Sequence, residues 1–372
     1  VRPLVSVLLP FRDPGRFFPA ALECVLRQTL RDLEVIAVDD GTTDGSAEWV
    51  ERVGDPRVRV VRPEGRGLVA ALNHGVELAR GAYLARMDAD DLCAPERIGR
   101  QVAFLEGSPT HVLVGTRFAA IDAEDRVLYE TPVPCGDAAI RTGLVTGNRF
   151  QHGSVVLRAA VLRAAGGYRA AMRLVEDYDL WTRLAERGRL ANLPQVLYWW
   201  RTHPEGVSAR NFVRQEAMAE LVRRCARARS RGEREPLEEA LAILGGPARG
   251  LRARLLERRA KARLLRQAAR HDRLLGRPGR AALEYLRSGA LFPFDPLLLE
   301  EILLDVLGGR DRRRRRTLPP PPRHPGRSEA QASDACLLPD LSRVGVGRGP
   351  EAEREEPAAG AGGPGALRTH NP

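Results

Sequence analysis

Along residues 1–115 the apolar positions fall in short continuous runs, separated by segments whose apolar residues recur three and four apart. The runs Leu4–Leu9, Leu33–Val38, Val58–Val61 and Tyr83–Met87 are rich in Val, Leu and Ile, which predicts strands buried on both faces. Between them, Ala20–Gln28, Ser46–Val53 and Leu68–Ala79 carry helical spacing. Pro95 opens a further helix through Ile98–Leu105, and Val112–Val114 reads as a fifth short strand. This alternation is that of βαβ units, so an α/β fold with a mostly parallel sheet flanked by helices is expected. Sheets of that kind bind ligands outside the carboxyl ends of their strands. From 116 to 211 the pattern is mixed, with short strands at Ser154–Leu157 and Leu197–Trp200 around a helix at Tyr178–Glu186.

Residues 212–307 read as a helical appendage broken at Gly245-Gly246-Pro247 and Gly276–Gly279 and ending in Pro296–Leu307. From Gly308 the composition shifts to Arg312–Arg316, Pro319–Pro322 and then Gly, Pro, Ala and Glu. Residues 308–372 cannot bury enough apolar surface to offset chain entropy, so a disordered tail is expected. The expected domains are 1–211, with halves 1–115 and 116–211, then 212–307, then the tail.

Charge sharpens that division. Residues 1–213 hold 27 basic and 27 acidic side chains, whereas 214–280 hold 19 and 8, which equals the chain's whole net charge of +11. A basic helical stretch beside a neutral body suggests an anionic membrane surface as partner. Nucleic acid fits less well, because the arginines have almost no interleaved aromatics and no binding motif. A solvated arginine-rich face would leave the same composition. No run reaches the ~18 apolar residues of a membrane span, and the N-terminal residues lack the pattern of a secretory signal. The five cysteines are odd in number and none are paired at ligand spacing, which points to a reducing compartment. A cytoplasmic protein, peripheral on the inner face of the membrane, is the expectation.

The chemistry lies in acidic clusters at predicted strand ends. Asp88-Ala89-Asp90 sets two carboxylates on one side of an extended segment. Mg²⁺ takes one or two carboxylates plus phosphate oxygens, so this is a seat for a metal–diphosphate pair, although acidic doublets also serve as turn formers and caps. Asp39-Asp40, before Gly41 and Gly45, combines a turn with a carboxylate able to accept from a nucleobase N–H or a ribose hydroxyl. Glu176-Asp177 opens a helix, where the dipole favours acids, and offers a general base for a hydroxyl acceptor. His203 follows a predicted strand and is a candidate metal or diphosphate contact, or a structural histidine. His152 is a candidate for an acceptor pocket.

These pieces resemble family 2 glycosyltransferases of the GT-A fold, especially bacterial enzymes of surface polysaccharide synthesis. The resemblance runs through Val5–Pro10, Gln28-Thr29, Val38–Asp44, Ala71–Gly75, Ala85–Asp91, Pro95–Arg97, Gly166–Tyr168, Glu176–Arg183 and Tyr198 to Ser208. It implies an inverting, metal-dependent transfer from a nucleotide-diphosphate sugar, usually a UDP-sugar, to a glycan or lipid-linked hydroxyl. It also implies site roles: Pro10, Phe11, Asp39, Arg66 and Asp88 at the nucleotide-sugar, and Asp90, Asp88 and His203 at Mn²⁺ or Mg²⁺. Asp177 would be the base with Glu176 beside it, and His152 and Trp181 would lie on the acceptor side. The family's aromatic-Asn pair after the first-strand proline is absent, and Arg12-Asp13 stand here.

Three rivals remain from the sequence. Gly65-Arg66-Gly67-Leu68-Val69-Ala70 fits the G-x-G-x-x-A dinucleotide fingerprint of an oxidoreductase, with Asp88 at a suitable distance. It sits in the third unit rather than the first and leaves Asp39, Asp90 and Asp177 without a task. An Asp-x-Asp phosphatase would call for a hydroxyl-bearing residue near Asp91-Leu92, and none is there. A non-catalytic module of the same fold would not need the retained acids.

Overall fold

The computed structural model describes residues 2–202, 207–245 and 277–291, with isolated positions between 258 and 272 and at 321. His203 and, apart from Pro321, the expected disordered tail lie outside the described residues. In chain order the strands are β1 (Val5–Phe11), β2 (Leu33–Asp39), β3 (Val58–Val61), β4 (Tyr83–Arg86) and β5 (Leu92–Cys93). They are followed by β6 (His111–Ile121), β7 (Val127–Thr131), β8 (Val156–Arg158) and β9 (Arg189–Arg201). The helices are α1 (Phe18–Leu26), α2 (Ser46–Val53), α3 (Leu68–Leu78), α4 (Arg97–Glu106) and α5 (Asp137–Leu144). Then come α6 (Ala159–Ala164), α7 (Glu176–Ala185), α8 (Val207–Ser230), α9 (Glu239–Gly245) and α10 (Pro278–Leu291).

The strands form one sheet in the order β3-β2-β1-β4-β8-β6-β9-β5, with β7 added on β6. β3, β2, β1 and β4 run parallel, β8 is antiparallel to both β4 and β6, and β6 and β9 run parallel to each other. The mostly parallel α/β sheet expected from the sequence is therefore present. Every residue of β1 and β2 is buried, which is why these strands read as unbroken apolar runs.

Alternate residues feed two cores. Leu8, Ile36, Val38 and Leu84 face the cluster that holds α3, α6 and α7. Val7, Leu9, Val35, Ala37 and Ala85 face α1, α2 and α4. Met218, Leu221, Val222 and Cys225 of α8, and Ala240 and Leu244 of α9, join the first cluster, so these two helices share the core of the sheet domain. Four arginines of α8 are paired with acids nearby: Arg223 and Arg227 with Glu220, Arg224 with Glu239, and Arg229 with Glu186 and Glu235. Of these acids only Glu186 lies outside residues 214–280, so the pairing leaves that stretch's basic surplus almost unchanged. Among the described residues no helix is long and apolar enough to cross a membrane.

β6 and β9 are far longer than the short apolar runs that announced them. They pair over His111–Ile121, and the register shifts between Thr116 and Arg117, where Pro194 and Gln195 of β9 are passed over. Mutual pairing carries both strands through polar residues and a proline that would end either alone.

Candidate active site

Parallel pairing brings the functional residues to one edge. Phe11 at the end of β1 is in register with Asp39 at the end of β2, and Leu8 with Arg86 at the end of β4. β2 and β4 flank β1, so the turns after them are about two strand spacings, roughly 10 Å, apart across the sheet, with β2 reaching three residues further along β1.

At the β2 side, Asp39 is 5% exposed and builds the turn. Its Oδ1 accepts from the backbone N–H of Gly41 at 3.0 Å and of Thr42 at 2.8 Å, while Oδ2 accepts from Arg62 Nε at 2.9 Å. A carboxylate oxygen has two lone pairs, so Oδ2 retains room for a second donor. Gly41 has φ +79°, and a Cβ there would meet Arg66 Nη1 at 2.6 Å. The missing side chain thus lets the exposed Arg66 lie over the turn. Asp13 accepts from Thr43 N at 2.6 Å, and Asp44 from Gly15 N at 2.8 Å, which ties the loops after β1 and β2 together. Pro10 is buried in β1. The ring of Phe11 is 3% exposed and stacks on Phe18 at 4.6 Å. At this edge Phe11 therefore presents its backbone and not its ring.

The dinucleotide fingerprint does not survive this geometry. Gly67 N donates to Asp40 Oδ1 at 2.6 Å, so an acid of the chain already occupies the helix terminus where a pyrophosphate would bind.

At the β4 side, the acids are held by contacts from distant parts of the chain. Asp91 is 1% exposed, with Oδ2 accepting from Tyr198 Oη at 2.6 Å and Oδ1 from Arg201 N at 2.8 Å. Burial, with Asp90 and Asp88 close by, pushes its carboxyl well above the usual range. Asp88 forms an ion pair with the buried Arg86. Burial raises the Asp88 carboxyl; Arg86 opposes this and Asp90 adds to it. Asp90 is half-buried, and its backbone carbonyl accepts from Arg201 Nε at 2.7 Å. Among the described residues no three His, Cys, Asp or Glu side chains form a complete metal site. With Asp91 spent on Tyr198 and Arg201, Asp88 and Asp90 supply hard oxygen donors for Mn²⁺ or Mg²⁺ only if diphosphate oxygens complete the shell. The donor set fits a cation that binds together with the nucleotide.

The third acidic pair meets the second. Glu176 and Asp177 open α7 as expected. Burial raises Glu176 to about 7, with Asp177 adding to the rise, and burial raises Asp177 to about 6. Asp177 Oδ2 accepts from Asn148 Nδ2 at 2.6 Å. The Arg86 guanidinium is near enough to act on the charges of Asp88, Glu176 and Asp177 alike. It also acts on Tyr168, whose hydroxyl is 3.1 Å from His152 Nε2. Burial and the Arg86 charge push His152 well below its ordinary value, so its ring is neutral.

Asp88 is thus ion-paired with Arg86, whose charge also acts on Glu176, Asp177, Tyr168 and His152, and Asp90 shares the turn with Asp88. Trp181 does not join them at a surface. It is 0% exposed and packs edge-on against His152 from the core at 5.9 Å.

Sequence reasoning assigned no part to Arg86, Tyr198, Arg201 or Asn148. Arg86 had a signal, being a charged residue inside an otherwise apolar strand run; Asn148 had none.

A model of the glycosyl transferase family 2 matches residues 6–162. The chain is 33% identical over 222 residues to EpsE of Bacillus subtilis (strain 168), covering 56% of this chain and 77% of that protein. It is also 33% identical over 204 residues to the amylovoran biosynthesis glycosyltransferase AmsE of Erwinia amylovora, covering 52% and 75%. Among solved structures, S. aureus TarS 1–349 covers 73% of this chain and 82% of its own, at 16% identity and TM-score 0.48. The mannosyltransferase PcManGT from Pyrobaculum calidifontis, in complex with GDP-Man and Mn²⁺, covers 85% and 83% at 18% identity and TM-score 0.46. With a family match over the sheet that carries the acidic turns, and relatives alike over three quarters of their length, the chain belongs to glycosyl transferase family 2.

Proposed function

We propose that this glycosyltransferase transfers a sugar, with inversion, from a nucleotide diphosphate (UDP in the first instance) to a hydroxyl of a bacterial surface polysaccharide or its lipid-linked precursor. One observation carries this: Arg86, ion-paired with Asp88 of the acidic turn after β4, also acts on the charges of Glu176 and Asp177 at the start of α7. A donor site and a base must be neighbours for direct displacement. The likeness to AmsE, a protein of amylovoran biosynthesis, supports the polysaccharide assignment.

In this mechanism Asp39, with Arg62, meets the base and Arg66 lies near the diphosphate. Asp88 orients the ribose or sugar. Asp90 holds the divalent ion, which when bound neutralises charge on the departing diphosphate. Asp177 takes the acceptor proton as the oxygen attacks the anomeric carbon from the face opposite the diphosphate. The bond from that carbon to the diphosphate oxygen breaks in the same step. A base raised to about 6 is largely ionised at neutral pH yet still basic enough to accept a proton. His152, neutral and beside Tyr168, suits a hydrogen-bonding wall for the acceptor.

A thermal-shift screen of nucleotide diphosphates with and without Mn²⁺ tests the donor. Ligands that bind the native state raise its melting temperature. UDP with Mn²⁺ should stabilise the protein and NADH should not; stabilisation by NADH alone would refute the proposal.

A further inference from the structure

We infer that Asn148 is the positioning residue that aims and holds the carboxylate of Asp177. Asn148 lies on the exposed loop after α5, outside the acidic clusters and 29 positions before the acid it contacts. Its two polar atoms have separate tasks. Oδ1 accepts from Phe150 N at 3.0 Å, so Nδ2 is the atom presented to Asp177 Oδ2 at 2.6 Å. That choice of amide orientation follows from the backbone donor. Asp177 Oδ1 accepts from Tyr178 N at 2.7 Å. Both oxygens are thus fixed, one by the helix and one by the loop.

The loop is itself buttressed from beyond the family-matched region. Arg223 of α8, 7% exposed and paired with Glu220, donates through Nη1 to Thr146 O at 3.1 Å. Arg86 from β4, Glu176 on its own helix, and Tyr168 also act on Asp177. Asn148 is the side chain that donates a hydrogen bond to its carboxylate. A donor to the charged form favours ionisation, so losing it moves the acid limb of the rate profile to higher pH.

This inference rests on Asp177 being the base, and the experiment separates the two. The kcat–pH profile, donor KM and melting temperature are measured for wild type, Asn148→Ala, Asn148→Asp and Asp177→Asn. Asn148→Ala should shift the acid limb upward by about one pH unit, a tenfold loss of kcat on that limb, with donor KM unchanged. Asn148→Asp keeps the acceptor for Phe150 N but sets an anion against Asp177, so its limb should move further, and its melting temperature should fall at pH 8 but not at pH 5. A purely structural Asn148 would leave the limb of the alanine variant in place while lowering its melting temperature, and that result overturns the inference. An active Asp177→Asn variant would instead overturn the base assignment.

Discussion

Arg86 lies buried in an ion pair with Asp88, and its charge also acts on Glu176 and Asp177 at the start of α7. A guanidinium does not lose its proton in proteins, so this charge is constant across the working pH range. It lowers the cost of keeping Asp88, Glu176 and Asp177 ionised.

The first prediction concerns pH. Burial raises Glu176 to about 7 and Asp177 to about 6, so kcat should rise with pH through about 6 and level off above 7. Stability should run the other way. A carboxyl whose folded value lies above its unfolded value contributes stability at low pH that is lost as pH rises through the folded value. Glu176→Gln should therefore raise the melting temperature at pH 8 and leave it nearly unchanged at pH 5, as differential scanning calorimetry would show.

The second concerns Gly41. Alanine there meets both a positive φ of +79° and the Arg66 guanidinium. The backbone cost is about 1–2 kcal/mol. Gly41→Ala should lower the melting temperature and raise donor KM, whereas Arg66→Ala, at an exposed position, should raise donor KM about tenfold or more with little thermal change. Steady-state kinetics paired with thermal melts distinguishes the two.

The third concerns Gly153. A Cβ at this position would meet Tyr198 Oη at 1.8 Å and Asp88 Oδ2 at 2.7 Å. Gly153→Ala should displace Tyr198 from Asp91, destabilise the fold by about 1–3 kcal/mol and depress transfer. Urea unfolding and a transfer assay check the two effects together.

Much of this fold was legible because buried parallel strands have no polar face. β1, β2 and β3 were visible to within two residues, and α2 lies where its spacing placed it. β5, β7, α5 and α6 were not foreseen. The first is two residues long, and all five residues of β7 are only partly buried, so neither leaves a strong apolar period. The acids could be found because carboxylates at strand ends are conspicuous. Their supports could not. Asp91 is held by Tyr198 and Arg201, over 100 positions away, and nothing local in either strand announces such a contact. The rings of Trp181 and Phe11, each within a motif, pack the core, which motif position alone does not reveal.

The most direct test is titration calorimetry of UDP with Mn²⁺ on wild type, Asp90→Asn and Asp177→Asn, with transfer assayed on the same samples. Asp90→Asn should lose the metal-dependent part of the affinity. Asp177→Asn should bind as wild type while kcat falls by about 10²–10⁴-fold. Full metal-dependent affinity in Asp90→Asn, or undiminished transfer in Asp177→Asn, would contradict the account.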